Sequence, residues 1–167
     1  QTVYGDEKLQ GFADAVGLSD GSVAVAGYVT KAGSHRSWLL RVNEDTETLW
    51  SKISTAKLDA TAIVALAGDR LLVAGTTEPG SVNADAWLAG LDKFGNVTWD
   101  VTRDFGGRDA GMAVAATANG GAMMVGLVAA KSTNQERGIV VRTDPWGGAS
   151  CKESGKCLGQ HVKGCDD

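Results

Sequence analysis

Few side chains in this sequence are equipped for acid–base, nucleophilic or metal chemistry, and they lie far apart. Histidine occurs only at His35 and His161. His35 stands between Ser34 and Arg36. A serine nucleophile needs a histidine base oriented by a third group, and no G-x-S-x-G surrounds Ser34. His35 and Arg36 therefore read as polar contacts in a solvated loop. Asn83 and Asp85 could offer calcium two oxygens from a second loop, far short of a full ligand set. Arg137 falls in a third loop of the same kind. Trp146, between Pro145 and Gly147, is an aromatic in a turn and a plausible contact for a protein or a sugar. Asp45 and Glu47 are turn residues rather than a glycosidase pair. Gly106-Gly107 and Gly120-Gly121 lack the helix and Lys-Ser/Thr of a phosphate cradle. The sequon at Asn96-Val97-Thr98 reads as a hairpin position. No catalytic residue or cofactor is assigned, and the chain is not expected to be an enzyme.

All three cysteines, Cys151, Cys157 and Cys165, fall in the tail of residues 151–167, where the apolar pattern of the rest of the chain stops. With His161 they make a Cys₃His set that zinc would accept tetrahedrally. The spacing C-x5-C-x3-H-x3-C is looser than that of a zinc knuckle, and no C-x-x-C is present. An odd cysteine count in a secreted chain points to a partner elsewhere or a free thiol. Zinc, disulfides and free thiols all stay open on these residues alone.

The elements that would carry these residues repeat about every fifty positions, three times. Trp38 and Trp50 stand twelve apart, as do Trp87 and Trp99, and Ile139 and Cys151 keep that spacing in the third copy. Gly27, Gly75 and Gly126 lead the three pairs. Self-similarity at such a period means one supersecondary unit stacked on copies of itself. Each copy reads as a turn, an apolar run, the glycine, a polar loop, a second apolar run, a turn and an aromatic. Four short strands per copy follow, in the first at about 12–18, 22–29, 38–42 and 48–54. Glycines interrupt every apolar run and argue against helix. Residues 92–96 and 144–148 look like hairpin turns, and Asn43-Glu44-Asp45-Thr46 fills the same place without glycine. The repeated tryptophans are expected to pack between units. The loops at 31–37, 78–84 and 131–138 vary in length and are the expected recognition surface.

Composition agrees with many short strands and tight turns: 23 Gly, 2 Pro and frequent Val, Thr and small apolar residues. A net charge of −4 without a basic stripe argues against nucleic acid. The uncharged run 111–130 is long enough to suggest a membrane span. Asn119-Gly120-Gly121 sits where Asp20-Gly21 sits in the first copy, so the run reads instead as two strands around a hairpin. No secretory signal is visible, and Gln1 is no initiator, as in a chain that begins after a removed signal.

Four strands with tryptophans on the third and fourth is the plan of a β-propeller blade. On Asp20-Gly21, Ala26-Gly27, Trp38 and Trp50, and on Ala74-Gly75-Thr76-Thr77, Asp85-Ala86-Trp87, Asp92-Lys93-Phe94-Gly95 and Trp99, the chain resembles the secreted bacterial delta-60-like propeller repeats. It is more distantly similar to pyrroloquinoline-quinone-type blades. The tail resembles the opening of a cysteine-rich module of the C-x3-G-x-C … C-D-D type, through Cys151, Gly155, Cys157, Cys165, Asp166 and Asp167. That resemblance implies disulfides at the three cysteines and a native protein that continues.

The expected fold is thus all-β, with three four-stranded antiparallel propeller-type blades, as a partial propeller or as half of a six-bladed ring. A β-trefoil is the alternative. The units are an N-terminal strand at 1–10, repeats at 11–56, 57–107 and 108–150, and the tail at 151–167. Residues 2–5 resemble the stretch 101–106, so they are expected to pair beside the third strand of the third repeat, residues 138–143, in the same chain or in a homodimer. Rigid repeats, polar loops of differing length and the lack of a catalytic set lead to the expectation of a non-catalytic binding or scaffold module with a protein or glycan partner and no membrane span. The resemblance to secreted repeats implies a place outside or on the surface of a bacterial cell. A fragment of a quinone-dependent dehydrogenase and a carbohydrate-binding trefoil are the alternatives.

Overall fold

The computed structural model describes residues 2–5, 10–130 and 135–148. Among these residues, eleven strands make three antiparallel sheets in chain order. Sheet one holds β1 (Gln10–Gly17), β2 (Val23–Lys31), β3 (Ser34–Val42) and β4 (Thr48–Ile53). Sheet two holds β5 (Leu58–Ala65), β6 (Leu71–Thr77), β7 (Ala86–Leu91) and β8 (Val97–Arg103). Sheet three holds β9 (Gly107–Ala116), β10 (Ala122–Ala130) and β11 (Glu136–Arg142). It has three strands among the described residues where four were expected. The described strands close no barrel, which removes the trefoil alternative, since a trefoil needs one. The cysteine tail, with Cys151, Cys157, His161 and Cys165, lies outside the described residues, as does the start of the third loop at 131–134.

The sheets stack face to face through one repeated seam. β5 lies against β1, β2 and β3, and β9 lies against β5, β6 and β7. Sheet two is therefore covered on both faces, which explains its continuous apolar runs. Leu71, Val73, Trp87, Ala89 and Leu91 turn toward Ala24, Ala26 and Leu39 of sheet one. The alternate residues Leu72, Ala74, Ala86 and Leu88 turn toward Ala122, Met124 and Val141 of sheet three. Period-2 alternation puts neighbours on opposite faces. Each fully buried leucine contributes about 1.5–3 kcal/mol. The uncharged run 111–130 is a hairpin, closed by the Thr117 N–H to Gly121 carbonyl bond at 2.9 Å. No helix among the described residues is long and apolar enough to cross a membrane.

The recurring glycine has a steric cause. Each first strand carries a one-residue bulge opposite it, between Phe12 and Asp14, Ala60 and Ala62, and Gly111 and Ala113. The bulge drives the first strand's carbonyl into the space where a Cβ would stand. A Cβ on Gly27, Gly75 or Gly126 would collide with the carbonyl oxygen of Gly11, Asp59 or Ala110.

A tryptophan lock also recurs. Asp92 accepts the N–H groups of Phe94 and Asn96 in the β7–β8 turn, both at 2.9 Å. Asp144 does the same for Trp146 and Gly148, at 2.9 and 2.8 Å. The tight turns that result require a left-handed residue, supplied by Gly95 (φ 77°) and Gly147 (φ 84°). Trp50 of sheet one packs on Gly95 of sheet two, and Trp99 of sheet two packs on Gly147 of sheet three. In sheet one Thr46 takes the same conformation with φ 65°.

The expected pairing of residues 2–5 with residues 138–143 is not made within the chain. Instead Thr2 Oγ1 bonds Thr46 Oγ1 at 2.5 Å, and the Tyr4 hydroxyl donates to the Thr46 carbonyl. Tyr4 also meets Phe12 edge-on, and Phe12 lies against Trp38. The aromatic cluster on sheet one outcompetes a distant edge strand for this segment.

Candidate functional site

The β2–β3, β6–β7 and β10–β11 connections all leave one end of the stack, here called the loop end. The β3–β4 and β7–β8 turns and residues 144–148 leave the opposite, turn end. The six sequence-predicted site residues divide between the two. His35, Arg36, Asn83, Asp85 and Arg137 belong to the loop end, whereas Trp146 is at the turn end.

The first connection is shorter than expected. β2 runs to Lys31 and β3 starts at Ser34, so only Ala32 (φ 50°) and Gly33 (φ 73°) form the turn. Two left-handed residues are what a type I′ hairpin requires. His35 and Arg36 therefore sit in a strand, not in a loop. The His35 ring stacks on Tyr28 with centroids 4.2 Å apart, and its Nδ1 lies 3.1 Å from Asp59 Oδ2 on sheet two. Ser34 precedes it on the same strand and so projects to the other face. Arg36 donates to the Thr55 carbonyl. Both residues thus fasten structure.

The seam between sheets two and three is different. Residues 78–85 form a longer connection, anchored by the Asp85 N–H to Thr77 Oγ1 bond at 3.0 Å and the Asn83 N–H to Ser81 Oγ bond at 3.1 Å. The Asp109 N–H then reaches the Ala84 carbonyl at 2.6 Å, tying β9 to that connection. Asp109 is fully buried, and its carboxylate accepts the Phe105 N–H at 2.5 Å. Asp104 accepts the Gly106 N–H at 2.7 Å and so shapes the link from β8 to β9. These bonds gather the carboxylates of Asp85, Asp104 and Asp109 to within 4.8 Å of one another. Hard cations such as calcium and magnesium take oxygen sets of this kind. Beside them lies a cavity of about 220 Å³ lined by Phe105, Gly106, Val128 and Arg137. Arg137 stands opposite Val128 in the β10–β11 ladder. One corner of the loop end thus offers carboxylates, a guanidinium, an aromatic ring and a glycine backbone to a polar ligand.

Asp85 and Arg137 are brought to this corner, and Asn83 lies in the connection beside Asp85. Asp104 and Asp109 were missed, because no motif links them to Asp85. Only the return of β8 along β7 brings them back to the same end.

The turn end carries Trp146, 77% exposed, and Phe94, 59% exposed, at the same turn position in sheets three and two. It also holds three carboxylates whose acidity the fold strengthens. Bonds from the Ser22 side chain and backbone, with Arg41 alongside, hold Asp20 down at about 2. Asn96 lowers Asp92, and Ser19 lowers Asp69.

No protein-family model matches the chain, and no curated protein matches it. Its fold is similar to the crystal structure of a protein of unknown function from Bacteroides caccae, with a TM-score of 0.55 and 16% identity. The match covers 89% of this chain and 47% of that one, so the chain spans about half the length of its neighbour.

Proposed function

We propose that this chain is a non-catalytic binding or scaffold module of an extracellular or surface-exposed bacterial protein. Its stacked sheets serve as propeller-type blades that hold a recognition corner at the loop end. The observation that carries this reading is the convergence of Asp85, Asp104 and Asp109 beside the cavity lined by Arg137. Four segments on two sheets meet there, which is how a rigid scaffold displays a binding site from its connections. The non-catalytic part is supported by the alternation of β3, which turns Ser34 to the face opposite His35 and so away from the neighbouring histidine that could activate it.

The test is retention on arrays of immobilised glycans and extracellular proteins. The wild-type chain is expected to retain a ligand that a variant with residues 78–84 and 131–138 replaced does not, and Arg137→Ala is expected to weaken retention at least tenfold. Retention that survives both changes contradicts the site, and turnover of the retained ligand contradicts the non-catalytic reading.

A further inference from the structure

The far face of sheet three repeats, position for position, a face that is buried elsewhere in the molecule. Met123 and Val125 on β10 and Val140 on β11 hold the places of Leu72, Ala74 and Leu88 in sheet two. Sheet three covers Leu72, Ala74 and Leu88 completely. Met123, Val125 and Val140 are 40%, 42% and 65% exposed, and Met112 at the β9 bulge is 57% exposed. A monomer seldom leaves such a contiguous apolar face in water.

The near face of sheet one, at the other end of the stack, is mostly covered within the chain, with Trp38, Leu40 and Val42 buried. The apolar surface left open there is that of Phe12 and Ile53 beside Trp38, 41% and 40% exposed. Residues 2–5 also stand before sheet one as residues 103–106 stand before sheet three. Arg103 donates to the Gly147 carbonyl at 3.4 Å, and Thr2 bonds Thr46, the residue equivalent to Gly147. Gly5 (φ 110°) repeats Gly106 (φ 85°). The segment thus holds the place of the end of a sheet that would precede sheet one.

We propose that two copies of this chain stack head to tail, the far face of sheet three of each on the near face of sheet one of the other. The two junctions are equivalent and close a six-sheet ring, within the range of blade numbers that rings adopt. The ring places residues 2–5 of one copy, which reach Thr46 at the turn end of their own sheet one, beside β11 of the other, the edge strand of sheet three. A back-to-back pair through sheet three alone would leave Phe12 and Ile53 in water, so the head-to-tail arrangement accounts for both apolar ends. The inference does not depend on the recognition corner.

Three chains measured by light scattering and sedimentation test it, up to about 100 μM, where a micromolar association is saturated. Wild type is expected at twice 17.2 kDa. A far-face variant, Met123→Lys with Val140→Glu, and a near-face variant, Phe12→Ser with Ile53→Lys, are each expected at half that mass with strand circular dichroism unchanged. Mixing the two variants is expected to restore dimers, because one of the two junctions is then wild type on both sides. A monomeric wild type, a dimer that survives the near-face changes, or a mixture that stays monomeric overturns the proposal. If a variant misfolds, the single changes Val140→Glu and Ile53→Lys decide by the same readout.

Discussion

Arg41 shows how one side chain can reconcile a charge with an apolar seam. It occupies the position that Gly90 holds in sheet two, opposite Trp50 as Gly90 is opposite Trp99. Its Nε and both terminal nitrogens donate to Ser22 Oγ, the Lys93 carbonyl and Asp20, each at 2.8 Å. Arg41 is 7% exposed and Ser22 3%, so a bond lost between them leaves a buried acceptor without its donor. Arg41→Lys cannot reproduce the planar fork and is expected to cost about 1–3 kcal/mol in urea unfolding. Asp20 carries the pH dependence of this cluster. Its carboxyl is lowered from 3.8 to about 2, first by Ser22 and then by Arg41. A depressed carboxylate stabilises the fold above its unfolded value and loses that contribution as pH falls through the folded one. Stability is therefore expected to decline between about pH 4 and pH 2, and Asp20→Asn to flatten that decline in acid titration. Gly147 offers a third residue-level test. A Cβ there is both left-handed and within 3 Å of the Trp99 ring, so Gly147→Ala is expected to destabilise by about 1–3 kcal/mol.

Among the elements, β7 and β11 hold the same repeat position in sheets two and three with opposite surroundings. Leu88 on β7 is fully buried, and its counterpart Val140 is 65% exposed. Leu88→Ala is expected to cost about 2–5 kcal/mol. Val140→Ala in the dilute monomer should change stability by no more than about 0.5 kcal/mol, as at other surface sites. Equal costs would mean that sheet three is covered within the chain. The strands and turns were largely legible from the sequence, because glycine, Asx turns and apolar runs act locally. The turn residues 92–96 and 144–148 formed where Asp and Gly dictated them. The length of the first connection was not legible. The polar stretch Ser34-His35-Arg36-Ser37 gives no apolar strand signal, yet it pairs with β2 from Thr30 and Lys31 onward because Asp59 and Tyr28 hold His35 in place. Nor was the carboxylate cluster legible, since Asp104 meets Asp85 through the return of β8 along β7 and Asp109 meets it through the packing of sheet three on sheet two.

At the scale of the whole molecule, the packing of three antiparallel sheets in order accounts for both the interior and the ends. A unit that buries one face on its neighbour leaves one unmatched face at each end of a three-sheet stack. Sheet one partly covers its own with Tyr4 and Phe12, and sheet three leaves Met112, Met123, Val125 and Val140 exposed. The proposed ring rests on those two ends, and it would bring together two sites that lie at opposite ends of one chain. Dipolar coupling between spin labels on different copies reads this directly. One pool carries Thr2→Cys and the other Arg142→Cys, at the turn end of β11, the end of the stack at which Thr46 holds Thr2, each labelled, with Cys151, Cys157 and Cys165 changed to Ser. In the mixed dimer residue 2 of one copy should stand about one strand spacing from the β11 edge of the other, and the label arms extend that to roughly 15–20 Å. A distance in that range is the predicted result. The absence of coupling between pools that still form dimers would contradict the head-to-tail stack.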